Sequence, residues 1–137
     1  MSQIITTYGP LLFEAMGQTL LLALWGLLFG CILGIVFGLM SVLDSKVSRV
    51  ISVIYVNLIR GVPLIVLAFF VFYGVPYGLR TLFGIRSTLT ALQAGTICLA
   101  LNCGAYMSEI IRAGIQAIDP GQMEAARSLG LSYWNSM

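Results

Sequence analysis

The chain has 137 residues, of which 59% are apolar and only 9% charged, against about 25% charged in soluble domains. So short a chain has too little interior to hide that much apolar surface from water, and the bilayer is its natural solvent. A net charge of +2 removes the electrostatic case for a nucleic-acid partner, and the absence of histidine excludes His-based catalysis or metal binding.

In chain order, residues Met1 to Glu14 contain Gly9 and Pro10 and are weakly apolar, which predicts a short interfacial segment. An uncharged run then extends from Ala15 to Leu43. It exceeds the ~20 residues that cross hydrocarbon, and it lacks the basic flank of a signal peptide. A first transmembrane helix is predicted at 18–42. Within it, Gly26, Gly30, Gly34 and Gly38 recur every fourth residue and form one stripe. Such a stripe admits a neighbouring backbone at close range, either within the subunit or across a dimer.

A second helix is predicted over 50–79, longer than the bilayer needs and therefore tilted or projecting. Pro63 removes a backbone donor from it and is expected to bend it. Arg60 lies in this stretch, and two placements are open. Its stem snorkels to the cytoplasmic interface, or its guanidinium turns inward to a carboxylate such as Glu109. A third helix is predicted over 87–112. On it Glu109 and Arg112, three apart, share a face. They form either a surface pair or part of a polar path between subunits, with Asn57 and Asn102 as further polar candidates. Cys31, Cys98 and Cys103 lie in apolar runs with no CxxC spacing and read as small hydrophobic residues.

Asp119 suits an N-cap, Pro120 the first helical position and Gln122 the third, which predicts a capping-box-like start. The helix should run over 120–129, with Gly130 just past its end. Glu124 and Arg127 stand close enough to pair. Basic residues are counted on the two sides of the three spans, with Arg60 left out. Lys46 and Arg49 in the 44–49 loop, with Arg112 and Arg127 after the third span, make four on one side against Arg80 and Arg86, two, in the 76–88 loop. The positive-inside rule then puts the N-terminus outside and the 120–129 helix in the cytoplasm.

Three runs carry a resemblance: Arg60-Gly61-Val62-Pro63, the stretch from Gly104 to Gly114, and Glu124-Ala125-Ala126-Arg127-Ser128-Leu129-Gly130. The last reads E-A-A, three residues, then G. Together they resemble an ABC transporter permease of the polar amino-acid uptake family. The resemblance covers nearly the whole chain as a single permease domain, 1–137. It implies an all-α, polytopic fold: three transmembrane helices plus a short cytoplasmic coupling helix, part of a five-span type I importer permease in the bacterial plasma membrane. Coupling to the ATPase would fall to Glu124, Ala125, Ala126 and Gly130. The implied partners are ABC ATPase subunits, a second permease subunit (identical or homologous) and an extracytoplasmic amino-acid-binding protein. ATP hydrolysis would occur on the partner, so the chain is not expected to be an enzyme or to hold a cofactor. No phosphate-loop motif is present. The family motif continues to an Ile-x-Leu-Pro that would fall near 140–143, past Met137, and further spans would come after it. On that reading the chain is a C-terminally truncated permease and should not transport by itself. The alternative is a non-conducting membrane remnant that still docks the ATPase.

Overall fold

The computed structural model describes residues 2–132 together with Asn135, and these are helical apart from short connections. The first helix, α1, runs without interruption over Ser2–Val42 and contains Pro10. The predicted interfacial segment therefore merges with the first span. Pro10 gives up one helical hydrogen bond and Gly17 lowers helix propensity, yet the helix runs through both.

The predicted 50–79 helix is divided. α2 covers Lys46–Gly61, capped by the Ser45 side chain. It stops because Val62, ahead of Pro63, adopts φ −105° and ψ 132°, the extended region to which a following proline ring confines its neighbour. α3 restarts at Leu64–Phe69. It widens into a π turn at Phe70–Gly74, where the Val75 N–H donates to the Phe70 carbonyl, and continues as α4 over Val75–Phe83. Pro76 comes directly after that turn, and the wider loop of backbone accommodates its missing donor. α4 ends on Gly84 at φ 69°, where the Ile85 N–H donates to the Leu79 carbonyl.

α5 spans Ala91–Gln116 and begins at a full capping box, Thr90 with Gln93. The helix starts later than the predicted residue 87 because 84–90 is non-helical. α6 lies at Pro120–Ser128. Among the described residues, three stretches are long and apolar enough to cross a membrane: Tyr8–Val42, Leu64–Phe83 and Ala91–Gln116.

The main packing is α1 against α5. A Cβ placed on Gly26, Gly30, Gly34 or Gly38 would lie 2.9, 2.7, 2.5 or 2.9 Å from the Cβ of Leu99, Cys103, Met107 or Ile111. Both series ascend by four, so α1 and α5 run parallel in a fixed register, and the glycine stripe serves a contact within the subunit. Gly104 answers from α5, where a Cβ would lie 2.8 Å from Leu33 Cβ and from the Tyr55 hydroxyl.

α2 closes the third side with hydroxyls. Ser48 donates to the Met40 carbonyl (2.9 Å), Ser52 to Phe37 (2.7 Å) and Tyr55 to Leu101 of α5 (2.8 Å). The Tyr55 ring also stacks on Phe37 at 4.0 Å. A small core of Ile59, Leu67, Val71, Ala94, Cys98 and Ala105 lies between α2, α3, the π turn and α5. Most large apolar side chains face outward, as a bilayer-solvated bundle requires.

Candidate functional site

Two constellations carry chemistry outside the apolar packing. The first sits where α2 meets the last third of α5. Glu109 receives Arg112 Nη1 on Oε1 at 3.3 Å, and Arg60 Nη1 stands 4.0 Å from its Oε2. The Arg60 guanidinium also lies over the Tyr106 ring, 5.0 Å from its centroid, in a cation–π arrangement. Arg112 Nε donates to Gln116 Oε1 at 3.4 Å. One carboxylate thus holds two guanidinium groups, with side chains roughly two-fifths exposed, so the cluster keeps a net positive charge on an open face. The Arg60 guanidinium is partly exposed and stands within reach of the Glu109 carboxylate. Asn57 is exposed on α2 and Asn102 half-buried on α5.

The second is α6. Asp119 occupies its N-cap, and Oδ1 accepts from the Gly121 N–H at 2.8 Å. The bond recorded there is this short Asx-type cap, whereas the reciprocal pair expected with Gln122 is the kind that Thr90 and Gln93 make on α5. At the other end Gly130 takes φ 81°. Its N–H donates to Arg127 O at 3.0 Å, and Leu131 N–H donates to Ala126 O at 3.2 Å. That pair of bonds is a Schellman closure, which needs a left-handed residue and so favours glycine.

Between the caps, Glu124, Ala125 and Arg127 are exposed and Ala126 is half-buried. No ion pair joins Glu124 to Arg127 among the described residues; Ser128 Oγ instead donates to the Glu124 carbonyl at 2.9 Å. Among the described residues α6 packs substantially on no other helix. It is a short, exposed helix, capped at both ends and joined to α5 through 117–119.

Sequence reasoning missed the hydroxyl stripe of α2 and the part played by Tyr106. Ser45, Ser48, Ser52 and Tyr55 recur at helical spacing, a pattern that could have been read as a polar face seeking carbonyls.

Residues 26–137 match the family described as binding-protein-dependent transport system inner membrane component. The chain belongs to this family. Among its relatives, the probable amino-acid ABC transporter permease protein YckA of Bacillus subtilis (strain 168) is 35% identical over 93% of this chain and 54% of its own length. The probable amino-acid ABC transporter permease protein PatM of Vibrio harveyi is 38% identical over 93% of this chain and 56% of its own. The arginine transport system permease protein ArtQ of Bacillus subtilis (strain 168) is also 38% identical over the same shares. In a crystal structure of an amino acid ABC transporter with histidines, one chain superposes with a TM-score of 0.80. It is 38% identical, over 97% of this chain and 59% of that one. The chain spans about half the length of the curated relatives it matches. As a member of this family, with three helices among its described residues long and apolar enough to cross a membrane, it is a multi-pass membrane protein.

Proposed function

We propose that the chain acts as the membrane-embedded permease subunit of an ABC importer for amino acids, with α6 as the helix that an ATPase subunit grips. The observation that carries this reading is the exposed Glu124–Ala125 edge, with Ala126 half-buried beside it, held between two closed caps at the end of a membrane helix. A helix pre-ordered in this way loses little conformational entropy on docking. Small side chains at Ala125 and Ala126 let a groove close on the backbone, Glu124 offers a charged contact, and Gly130 turns the chain away. The polar face of Arg60, Asn57, Asn102, Glu109 and Arg112 is assigned to the substrate path, against a second permease subunit, identical or homologous. An extracytoplasmic binding protein would deliver the amino acid. The N-terminus is assigned to the outside and α6 to the cytoplasm of a bacterial plasma membrane, in keeping with the basic residues near the membrane ends.

The test is capture of the cognate ATPase subunit by the chain in lipid nanodiscs. Ala125→Trp and Glu124→Ala alter exposed positions and leave the caps in place. Each should weaken capture roughly tenfold or more, the scale of losing a central contact, while Arg60→Gln leaves it unchanged. Equal capture by all four proteins would overturn the assignment.

A further inference from the structure

The parallel register of α1 and α5 sets the depth of every other element, and it disagrees with hydropathy about the second crossing. By composition that crossing is Leu64–Phe83. Yet Leu64 already stands beside Cys98, whose Sγ donates to its carbonyl at 3.8 Å, and the buried Val71 shares the core with Ala94, one turn from the start of α5. On α1, Ala15 and Gln18 line the same hollow as Ala91 and Leu92. At the other end Ser48 and Ser52 bond the last turns of α1, at Met40 and Phe37. The stretch from Ser48 to Val71 thus traverses the depth of α5 by itself, about 24 residues or roughly 35 Å at ~1.5 Å per residue. That is enough for a hydrocarbon layer of about 30 Å with some tilt.

α4 therefore lies past the membrane core, beyond the N-terminal end of α5, and among the described residues packs mainly on the π turn. It nonetheless exposes Leu82 by 78% and Phe83 by 70%, and Ile85 just beyond it by 54%. Val75, Leu79, Leu82 and Phe83 share one helix face, with Arg80, Tyr77 and Thr81 on the other. Arg80 and Arg86 have no carboxylate anywhere in 75–90. An apolar row next to a tyrosine and two unneutralised cations is the composition of a helix lying in a membrane interface.

We propose that α4 is an interfacial helix, bent from the crossing at the π turn and Pro76. Its Leu82–Phe83 edge sits under the headgroups on the α5 N-terminal side, and Arg80 and Arg86 contact anionic lipid phosphates. The second crossing is then α2, α3 and the π turn, centred near Leu58 rather than near Tyr73.

Single-tryptophan variants of the full chain test this, with Trp25→Phe and Trp134→Phe as the background and Leu58→Trp, Tyr73→Trp or Phe83→Trp added. They are reconstituted in phosphatidylethanolamine–phosphatidylglycerol vesicles carrying lipids brominated at shallow or deep acyl positions. All three positions face outward, so the probes do not disturb packing. The expected result is strongest deep-bromine quenching for Leu58→Trp. Tyr73→Trp and Phe83→Trp should respond severalfold more to shallow bromines than to deep ones. Deepest quenching at Tyr73→Trp would restore Leu64–Phe83 as the crossing and overturn the proposal. So would a Phe83→Trp probe quenched only by aqueous iodide, the result for a helix that meets a soluble partner. With brominated phosphatidylglycerol in place of brominated phosphatidylcholine, quenching of Phe83→Trp should rise, and Arg80→Gln with Arg86→Gln should erase the difference. No difference before the arginines are changed would overturn the anionic-lipid contact.

Discussion

At Gly34 a Cβ would stand 2.5 Å from the Cβ of Met107, with a Gly104 carbonyl 3.4 Å away. Neither neighbour is the far end of a flexible side chain, so the two helices must part for a methyl group to enter. Gly34→Ala is expected to destabilise the bundle by about 1–3 kcal/mol, the usual cost of overpacking. Gly114, also on α5, meets nothing within 4 Å, and Gly114→Ala should be neutral or slightly favourable, by up to ~1 kcal/mol of helix propensity. Unfolding in mixed micelles by titrated dodecyl sulfate reads both. Pairing Gly34→Ala with Met107→Gly, which removes the opposing Cβ, should recover part of the loss, since the two sites share one contact. A Gly34→Ala protein as stable as the parent would mean that α1 and α5 do not meet in this register. The spacing of the glycines was legible in the sequence; their partner was not, because one stripe cannot say whether the close backbone belongs to the same chain or to another copy.

α2 shows how an element can be placed by hydrogen bonds where the bilayer offers no hydrophobic drive for helix association. Its hydroxyls each take a carbonyl from α1 or α5, and in hydrocarbon those protons have no water to return to. Tyr55→Phe and Ser52→Ala are each expected to cost about 0.6 kcal/mol, and at most ~1.7, the measured range for such bonds in membranes. Hydrogen exchange of the α2 amides should speed up in both variants while the middle of α5 stays protected. Unchanged exchange in α2 would show that ring stacking and the Ile59–Leu67 core hold it without the hydroxyls. The same element explains where sequence reading stopped short. Length and hydropathy merged α2 with α3 and α4, because Pro63 reads equally as a bend or as a break. The structure breaks there because Val62, held extended by the proline ring, cannot continue the turn begun by Gly61. The caps of α6 were the opposite case. Asp119 and Gly130 act through local backbone geometry, which travels with the sequence, so that helix could be placed to within one residue of its end.

At the scale of the molecule, α5 is the shaft that joins the two constellations. It carries Tyr106, Glu109 and Arg112 on its second half and runs through 117–119 into α6, while the glycine register fixes it to α1. On the coupling role proposed above, a displacement of α6 acts on α5 through 117–119, and the Arg60–Glu109 pair is one of the α2–α5 contacts it strains, beside the Tyr55–Leu101 hydrogen bond. The Glu109 carboxylate between Arg60 and Arg112 is suited to that task, since a 4.0 Å separation is a weak, easily remade pair at a partly exposed site. Arg60→Glu and Glu109→Arg should each reduce amino-acid uptake by the complete importer about tenfold or more, because each sets like charges face to face. Each should still assemble with the ATPase, whose proposed contacts lie on α6. The double exchange should restore a large part of uptake, although Arg112 then faces an arginine at 109 and keeps the recovery incomplete. The measurement is substrate accumulation in vesicles beside ATPase capture on the same preparations. A double variant no better than the singles would remove the Arg60–Glu109 pair from the mechanism. A loss of capture in parallel with uptake would instead assign the cluster to holding α5 and α6 in shape.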